Sequence, residues 1–323
     1  MTTRTTNNTV GEIAGFLKTL DRVAVTTHVG ADGDAIGASA ALVRLMRALG
    51  ADAVFCHAEA VPEYLNWLLP DGALTELPPD YDLLVADTSR ADRTGVPVPE
   101  AGARLNVDHH EDNPFYAEYN LVNPRAAATA EIVSDLYSEL GVPVERPAAE
   151  ALYVGIKTDT GGFNFRNISP RAHELVADLL RAGVVPAEVN ERINRRGSVQ
   201  QLRIVGVSLA NAVQYGEALI STVENADYER TGANEIESKE SIDQLRTVAG
   251  VDVVAHLREV PQGTKGSLRS ETVDVGEIAR RFGGGGHRLA AGYTTSGKKP
   301  EEAKDELLAI LGGVVNLDNG GAR

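Results

Sequence analysis

Cysteine is nearly absent from this sequence: Cys56 is the single one in 323 residues. An internal disulfide is excluded, and a cysteine-built zinc site is not expected. Long hydrophobic runs are also missing. No stretch approaches the roughly 18 consecutive apolar residues of a membrane span, so no membrane partner is expected. The opening "MTTRTTNNTVGEI" lacks the apolar core of a secretory signal, and a cytoplasmic location is the resulting expectation. Positive charge is scarce as well. The chain carries 31 Lys and Arg against 46 Asp and Glu, a net charge of −15. Such a balance argues against binding long nucleic acid, which needs a basic surface. One segment differs. Residues 255–300 hold eight basic residues, among them Arg258, Arg269 and Arg288, against four acidic ones, a local net of +4. A small anion site is compatible with that segment, although most of these charges, taken singly, read as solvated surface.

The rest of the composition is that of a globular protein, with 43% hydrophobic and 24% charged residues. The length suggests two domains. Through the first part of the chain, strand-like and helix-like segments alternate. Strands are expected at "RVAVTTH" (22–28), "ADAVFCH" (51–57), "YDLLVADTS" (81–89) and "ARLNVDHH" (103–110). Helical spacing marks residues 35–50, 128–141 and 148–163. Residues 169–184 form a further helix, with Ser169 as N-cap and Pro170 at its first position. This alternation predicts a mostly parallel sheet with helices on both faces. Residues 1–190 make a first domain and 191–216 a polar, basic, helical linker. Residues 217–323 make a smaller α/β domain, with strands at "EALISTVE", "DVVAHLREV", "KGSLRS" and "AAGYTTS" and helices at 241–250 and 273–283.

Four segments place acids or histidine just beyond an apolar run. They are "THVGADGDAIG" with His28, Asp32 and Asp34; "VADTSRADRTG" with Asp87; "VDHHEDN" with Asp108, His109 and His110; and "GIKTDTGGF" with Asp159. Each has an ordinary explanation alone. His28 serves as a strand-end histidine bonded to backbone, "ADGD" as a turn, Asp87 as a helix cap and Asp159 as part of another turn. Together they read differently, because parallel sheets gather ligands beyond the carboxyl ends of their strands. Imidazoles and carboxylates at one sheet edge make a nitrogen and oxygen site suited to Mn²⁺, Mg²⁺ or Zn²⁺. Clustered carboxylates without cations would repel and raise one another's pKa. Two divalent ions about 4 Å apart are a standard apparatus for phosphoester hydrolysis.

The ordered set "HVGADGDAIG", "ADTS", "VDHH" and "GIKTDTGGF" resembles the four motifs of the DHH phosphoesterase family, and "GSLRS" with "FGGGGHRLAAG" resembles its DHH-associated domain. Length and layout are similar to the nanoRNase and pAp-phosphatase branch. The resemblance implies two divalent metals, Mn²⁺ first, with Mg²⁺ or Co²⁺ as alternatives. His28 and Asp32 would hold one, Asp34, His109 and Asp159 the other, and Asp87 would bridge them. His110 would face the scissile phosphate and Asp108 would orient an imidazole. In the family's chemistry an activated water attacks phosphorus. Ala31 stands where the family commonly has proline, a change that loosens the loop without removing a ligand.

In the second domain, "RRFGGGGHRLAAG" lies inside a patterned region, which weakens its reading as a flexible linker. Gly284, Gly285 and Gly286 would let a phosphate or base approach the backbone. Arg269, Ser270 and His287 would donate to a terminal phosphate. Such a grip suits short single-stranded RNA, linear dinucleotides and pAp, cleaved to monophosphates, and does not suit long duplexes. Three rivals remain at this point. A DHH-type pyrophosphatase would lack the GGGGH element, and a RecJ-like single-strand exonuclease would need more basic surface. A non-catalytic nucleotide-binding regulator would have lost ligands. A homodimer through the first domain is the arrangement expected if the chain self-associates.

Overall fold

The computed structural model describes residues 6–69, 71–100, 102–194 and 197–317. The chain divides into two compact units, Met1–Arg196 and Gly197–Arg323.

In the first unit, α1 (Val10–Leu17) leads into β1 (Arg22–Thr26), α2 (Gly33–Ala48), β2 (Asp52–Phe55) and β3 (Asp82–Ala86). Then come β4 (Leu105–Asp108), β5 (Tyr119–Val122), α3 (Thr129–Leu140), α4 (Arg146–Asp159), α5 (Pro170–Arg181) and α6 (Pro186–Asn194). The five strands form one sheet in the order β2-β1-β3-β4-β5, with every pair parallel. The two-residue period of the strands sorts the side chains. Val23, Val25, Leu84, Ala86, Leu105 and Val107 face a large core shared with the helices. Ala24, Leu83 and Val85 face a small second cluster with Cys56, Val96, Ala103 and Ala117.

That second cluster corrects the expectation of helices on both faces. It is closed by loops that supply Val96, Ala103 and Ala117, and two of the strand positions on this face are polar. Asn106 and Asn120 lie there among them, fully buried and bonded to the backbone of β3 and of neighbouring loops. Helix packing needs a broad apolar stripe, and this face does not offer one. The four-residue β5 follows a polar loop directly, without an intervening helix, and the sequence pattern does not reveal it. Its outer edge is covered by Asn7 and Asn8, whose side chains bond to Val122 and Asn120.

The helix ends follow the sequence closely. Ser169 Oγ accepts from Ala172 N–H at 3.1 Å, so Ser169 caps α5. Gly141, at φ +66°, ends α3.

The second unit contains α7 (Val199–Ala210), β6 (Val213–Tyr215), β7 (Ala218–Val223), α8 (Asn225–Thr231), α9 (Ser241–Leu245) and β8 (Val253–Val260). It continues with β9 (Gly263–Ser270), α10 (Val275–Arg281), β10 (Gly285–His287), β11 (Ala290–Ser296) and α11 (Pro300–Leu311). Its mixed sheet runs β10-β11-β9-β8-β7-β6, with β7 and β8 parallel and the other pairs antiparallel. Residues 191–216, read from sequence as a linker, hold the end of α6, all of α7 and β6. Helix α7 packs on α8, α9 and β7. The helix expected over 241–250 ends at Leu245. No helix among the described residues is long and apolar enough to cross a membrane.

Candidate metal centre

Close packing of α2 against α4 brings two carboxylates together. A Cβ on Gly33 would lie 2.4 Å from Thr158 Oγ1, and one on Gly37 would lie 2.4 Å from the Ala151 carbonyl oxygen. A Cβ on Gly155 would lie 2.6 Å from Asp34 Oδ1. Only glycine permits this approach. It sets Asp34, in the first turn of α2, near Asp159, the last residue of α4.

The other groups arrive from the carboxyl ends of the central strands. His28 follows β1, Asp87 follows β3, and His109 and His110 follow β4. His28 Nε2 lies 3.7 Å from Asp87 Oδ2, and His109 Nε2 lies 3.7 Å from Asp87 Oδ1 and 3.6 Å from Asp159 Oδ2. Ligand atoms of His28, Asp32 and Asp87 fall within 4.8 Å of one another, as do those of Asp34, His109 and Asp159. Asp87, His109 and His110 form a third such group. Each imidazole turns its Nδ1 to a carbonyl or carboxylate. His28 Nδ1 lies 3.0 Å from Val29 O, His109 Nδ1 3.4 Å from Ala126 O, and His110 Nδ1 2.7 Å from Asp108 Oδ1. For His28 and His109 this leaves Nε2 as the nitrogen facing the acids.

The ordinary readings are realised only in part. Asp32 is the N-cap of α2, its Oδ1 accepting from Asp34 N–H at 3.0 Å and Ala35 N–H at 3.1 Å. Its second oxygen remains for the cluster. Asp87 is not a helix cap. It adopts φ +53°, a left-handed conformation uncommon outside glycine. Its N–H donates to Val107 O at 2.9 Å. Strain of this kind gathers at functional sites.

The electrostatics are those of a cation site. Asp34 is 1% exposed. Burial raises its pKa well above the usual range, and the charges of Asp87, Asp159 and Asp32 add to that. Two backbone N–H groups at the start of α3, from Thr129 at 2.6 Å and Ala130 at 3.0 Å, offset only part of it. Asp159 is pushed up to about 6, by burial first, with Asp87 and Asp32 adding and His109 opposing. Burial alone would raise Asp87 too, but His28, His109 and His110 hold it below its ordinary value. Among the described residues, no lysine or arginine pairs with Asp32, Asp34, Asp87 or Asp159. The oxygen and nitrogen donors, the unneutralised acids and the freed Nε2 atoms fit divalent cations.

Sequence reasoning missed the residues that hold this cluster. Thr129 Oγ1 donates to Asp87 Oδ1 at 2.9 Å. Asn167 Nδ2 donates to the carbonyl oxygens of Ala127 and Asp159. His57, 2% exposed, places Nε2 3.0 Å from His28 O. Asn113 Nδ2 donates to Asn106 Oδ1 at 2.7 Å and Asp108 Oδ2 at 2.6 Å. The two asparagines of "NVDHHEDN" were the one available signal, since a strand-end amide paired with a loop amide is a way to lock a turn.

In the second unit, the glycine tract is part of a hairpin. Gly285 pairs with Gly292, Gly286 with Ala291 and His287 with Ala290. A Cβ on Gly284 would lie 2.2 Å from Gly292 O, and one on Gly286, at φ +141°, would lie 2.6 Å from Ala290 O. Both are therefore required by the neighbouring strand. Gly285 faces open space, and His287 is exposed. Ser270 is occupied within the fold. Its hydroxyl donates to Asp252 Oδ1 at 2.8 Å and accepts from Thr272 N–H and Val273 N–H. Arg269 is half-buried, with Nη1 on Leu268 O, and burial lowers its pKa.

Comparison with known proteins places these features in a family. Residues 22–156 match the DHH family, N-terminal domain, and residues 216–316 match the DHHA1 domain. The chain is 35% identical over 306 residues to the bifunctional oligoribonuclease and PAP phosphatase NrnA of Thermus thermophilus, covering 93% of this chain and 92% of that protein. It is 24% identical to the NrnA of Bacillus subtilis, over 87% and 91% of the two chains. A crystal structure of an exopolyphosphatase-related protein from Bacteroides fragilis shares the fold, with a TM-score of 0.83 at 22% identity over 94% of this chain and 96% of that one. The chain belongs to the DHH family, with a DHH domain followed by a DHHA1 domain, and with that family to the hydrolases of phosphate esters.

Proposed function

We propose that the protein hydrolyses short oligoribonucleotides and linear dinucleotides to nucleoside monophosphates, and pAp to AMP. The observation that carries this is the convergence of His28, Asp32, Asp34, Asp87, His109 and Asp159 at one sheet edge. It occurs in a chain 35% identical to a protein named for both activities. His28 and Asp32 would hold one divalent ion, Asp34, His109 and Asp159 a second, and Asp87 would serve both. Mn²⁺ is the preferred ion, with Mg²⁺ or Co²⁺ as alternatives. When bound, such ions supply a nucleophilic water at neutral pH and neutralise charge on phosphoryl oxygens.

The chain's own groups do the rest. Asp108 holds His110 by Nδ1, which leaves Nε2 to face substrate. That bond raises the pKa of His110 to about 9, against the opposing effect of burial, so the ring is a cation at neutral pH. It stabilises charge on the scissile phosphate and can deliver a proton to the leaving oxygen. Arg269, Gly285 and His287 would form the grip on a substrate end, with Gly284, Gly286 and Ser270 shaping the hairpin beneath it. The net charge of −15 disfavours long polyanions, in line with short substrates, no long duplex and no membrane. A cytoplasmic location and a homodimer complete the proposal.

The test is a Mn²⁺-dependent turnover series on pAp, an RNA dinucleotide, a long RNA and pyrophosphate, with product lengths resolved over time. Consumption of pAp and dinucleotide with the long RNA spared supports the proposal. Processive loss of the long RNA would make the chain a RecJ-like exonuclease, and nucleotide binding without turnover would make it a regulator.

A further inference from the structure

We infer that a cleft beside the metal centre receives the part of an oligonucleotide that continues beyond the scissile phosphate, and that Lys157 pairs with the next phosphate there. The inference rests on the oligoribonuclease function proposed above, and assigns a substrate-discriminating residue to it.

The cleft lies wholly within the first unit and measures about 430 Å³, inside the range of roughly 300–1,000 Å³ common to small-ligand sites. Asp32 and Asp159 line it, so it opens directly onto the cluster that would hold the cations. Tyr64 also lines it and, half-buried, supplies ring surface against which a base or ribose can rest. Among the described residues lining it, Lys157 carries the one positive charge.

Lys157 stands in the last turn of α4, two residues before Asp159. A cation is favourable there against the helix dipole, which accounts for a basic residue at that turn. It does not account for the lack of a partner. The ammonium has no hydrogen bond or ion pair among the described residues, and its described neighbour is the Phe163 ring, 5.8 Å from Nζ. With the neighbouring carboxylates committed to cations, Lys157 is left to attract an anion that enters the cleft. A lysine serves this role as a point charge, without demanding one orientation of the phosphate.

The consequence is a distinction between the two substrate types. In pAp the scissile phosphate is terminal, and nothing continues beyond the phosphorus on that side. In an oligonucleotide of three or more nucleotides a nucleoside and a further phosphate continue. Of the two, only such an oligonucleotide has a further phosphate to offer Lys157.

The experiment measures kcat/KM with Mn²⁺ for a 5′-phosphorylated RNA trinucleotide and for pAp, using wild type, Lys157→Met, Lys157→Gln and Lys157→Arg. Lys157→Met and Lys157→Gln are expected to lose roughly tenfold more on the trinucleotide than on pAp, chiefly through KM. That ratio corresponds to about 1.4 kcal/mol, one modest ionic contact. Lys157→Arg is expected to restore most of it. The salt dependence of the trinucleotide KM should become shallower in the neutral variants, because one phosphate contact is gone. Equal losses on both substrates, no loss on the trinucleotide, or no recovery with arginine would overturn the inference. A wild-type protein inactive on both substrates would instead sink the proposed function.

Discussion

His110 Nδ1 stands 2.7 Å from Asp108 Oδ1, and Asn113 holds the other oxygen of the same carboxylate at 2.6 Å. Asp108 is fully buried and His110 partly exposed, so the buried acid fixes the direction of an imidazole that meets solvent. Replacing Asp108 with Asn should lower the His110 pKa from about 9 toward its ordinary value. NMR titration of His110 in the metal-free protein reads this directly. Turnover should fall by roughly 10–100-fold, the usual cost of losing a group that orients a site residue. An unmoved His110 titration would show that Asp108 does not govern its charge.

Without metal, the cluster's contribution to stability should fall as pH rises. Asp159 is raised to about 6 and Asp34 well above its ordinary value. Between about pH 4 and pH 6 these two carboxyls therefore hold more protons in the folded state than in the unfolded chain, and their contribution to stability declines through that window. His110, raised to about 9, acts in the same direction. Its contribution is complete below about pH 6.5 and is lost as pH rises through 9. Melting in EDTA from pH 4 to 9, compared between wild type and Asp159→Asn, isolates the trend from His256, which burial lowers to about 3 and which acts in the opposite direction. Added Mn²⁺ should raise Tm more at pH 7 than at pH 5, since the acids must ionise to bind it. A metal response independent of pH would contradict this account of the cluster.

Asp87→Asn is the cleanest probe of the bridging role proposed for this carboxylate. The position has φ +53°, which asparagine tolerates better than most residues, so the fold should survive. Turnover should drop at least 100-fold on the reasoning that both ions lose a ligand. Isothermal titration with Mn²⁺ should show weakened binding. Near-normal turnover would remove Asp87 from the bridging role.

Two glycine substitutions should act in opposite directions. At Gly155 a Cβ would meet Asp34 Oδ1 and Ala130 Cβ, each at 2.6 Å. Gly155→Ala should destabilise by about 1–3 kcal/mol, an overpacking cost, and should depress activity by displacing Asp34. At Gly15, on the exposed side of α1, a Cβ meets nothing within 4 Å. Gly15→Ala should stabilise by about 0.4–1 kcal/mol. Urea midpoints of the two variants are the readout.

His287→Ala should impair pAp and dinucleotide far more than bis-p-nitrophenyl phosphate, an activated diester with no nucleotide to grip. Equal losses on all three would count against a substrate-holding role for the hairpin.

Three of the four candidate clusters were legible because each follows an apolar strand run as a compact polar cluster, whereas Asp159 ends a helix. "THVGADGD", "VADTS" and "VDHH" announce themselves by that break in hydrophobicity, and a parallel sheet must bring such strand ends to one edge. The linear pattern does not carry the supports. Thr129 reads as an ordinary helix start, and its bond to Asp87 spans 42 residues. His57 reads as the end of β2, and its contact with His28 spans 29.

What the sequence determined by itself is the set of candidate ligating and acid–base groups and the strand and helix periods that carry them, since both are local properties of the chain. The tertiary structure alone decided which glycines serve packing and which face open space, that Ser270 is spent inside its own unit, and that loops close one face of the sheet. It also decided that α3 directs its N–H groups at Asp34. Those outcomes depend on which distant surfaces meet, and side-chain contact at a few ångströms is set by the packing of whole elements.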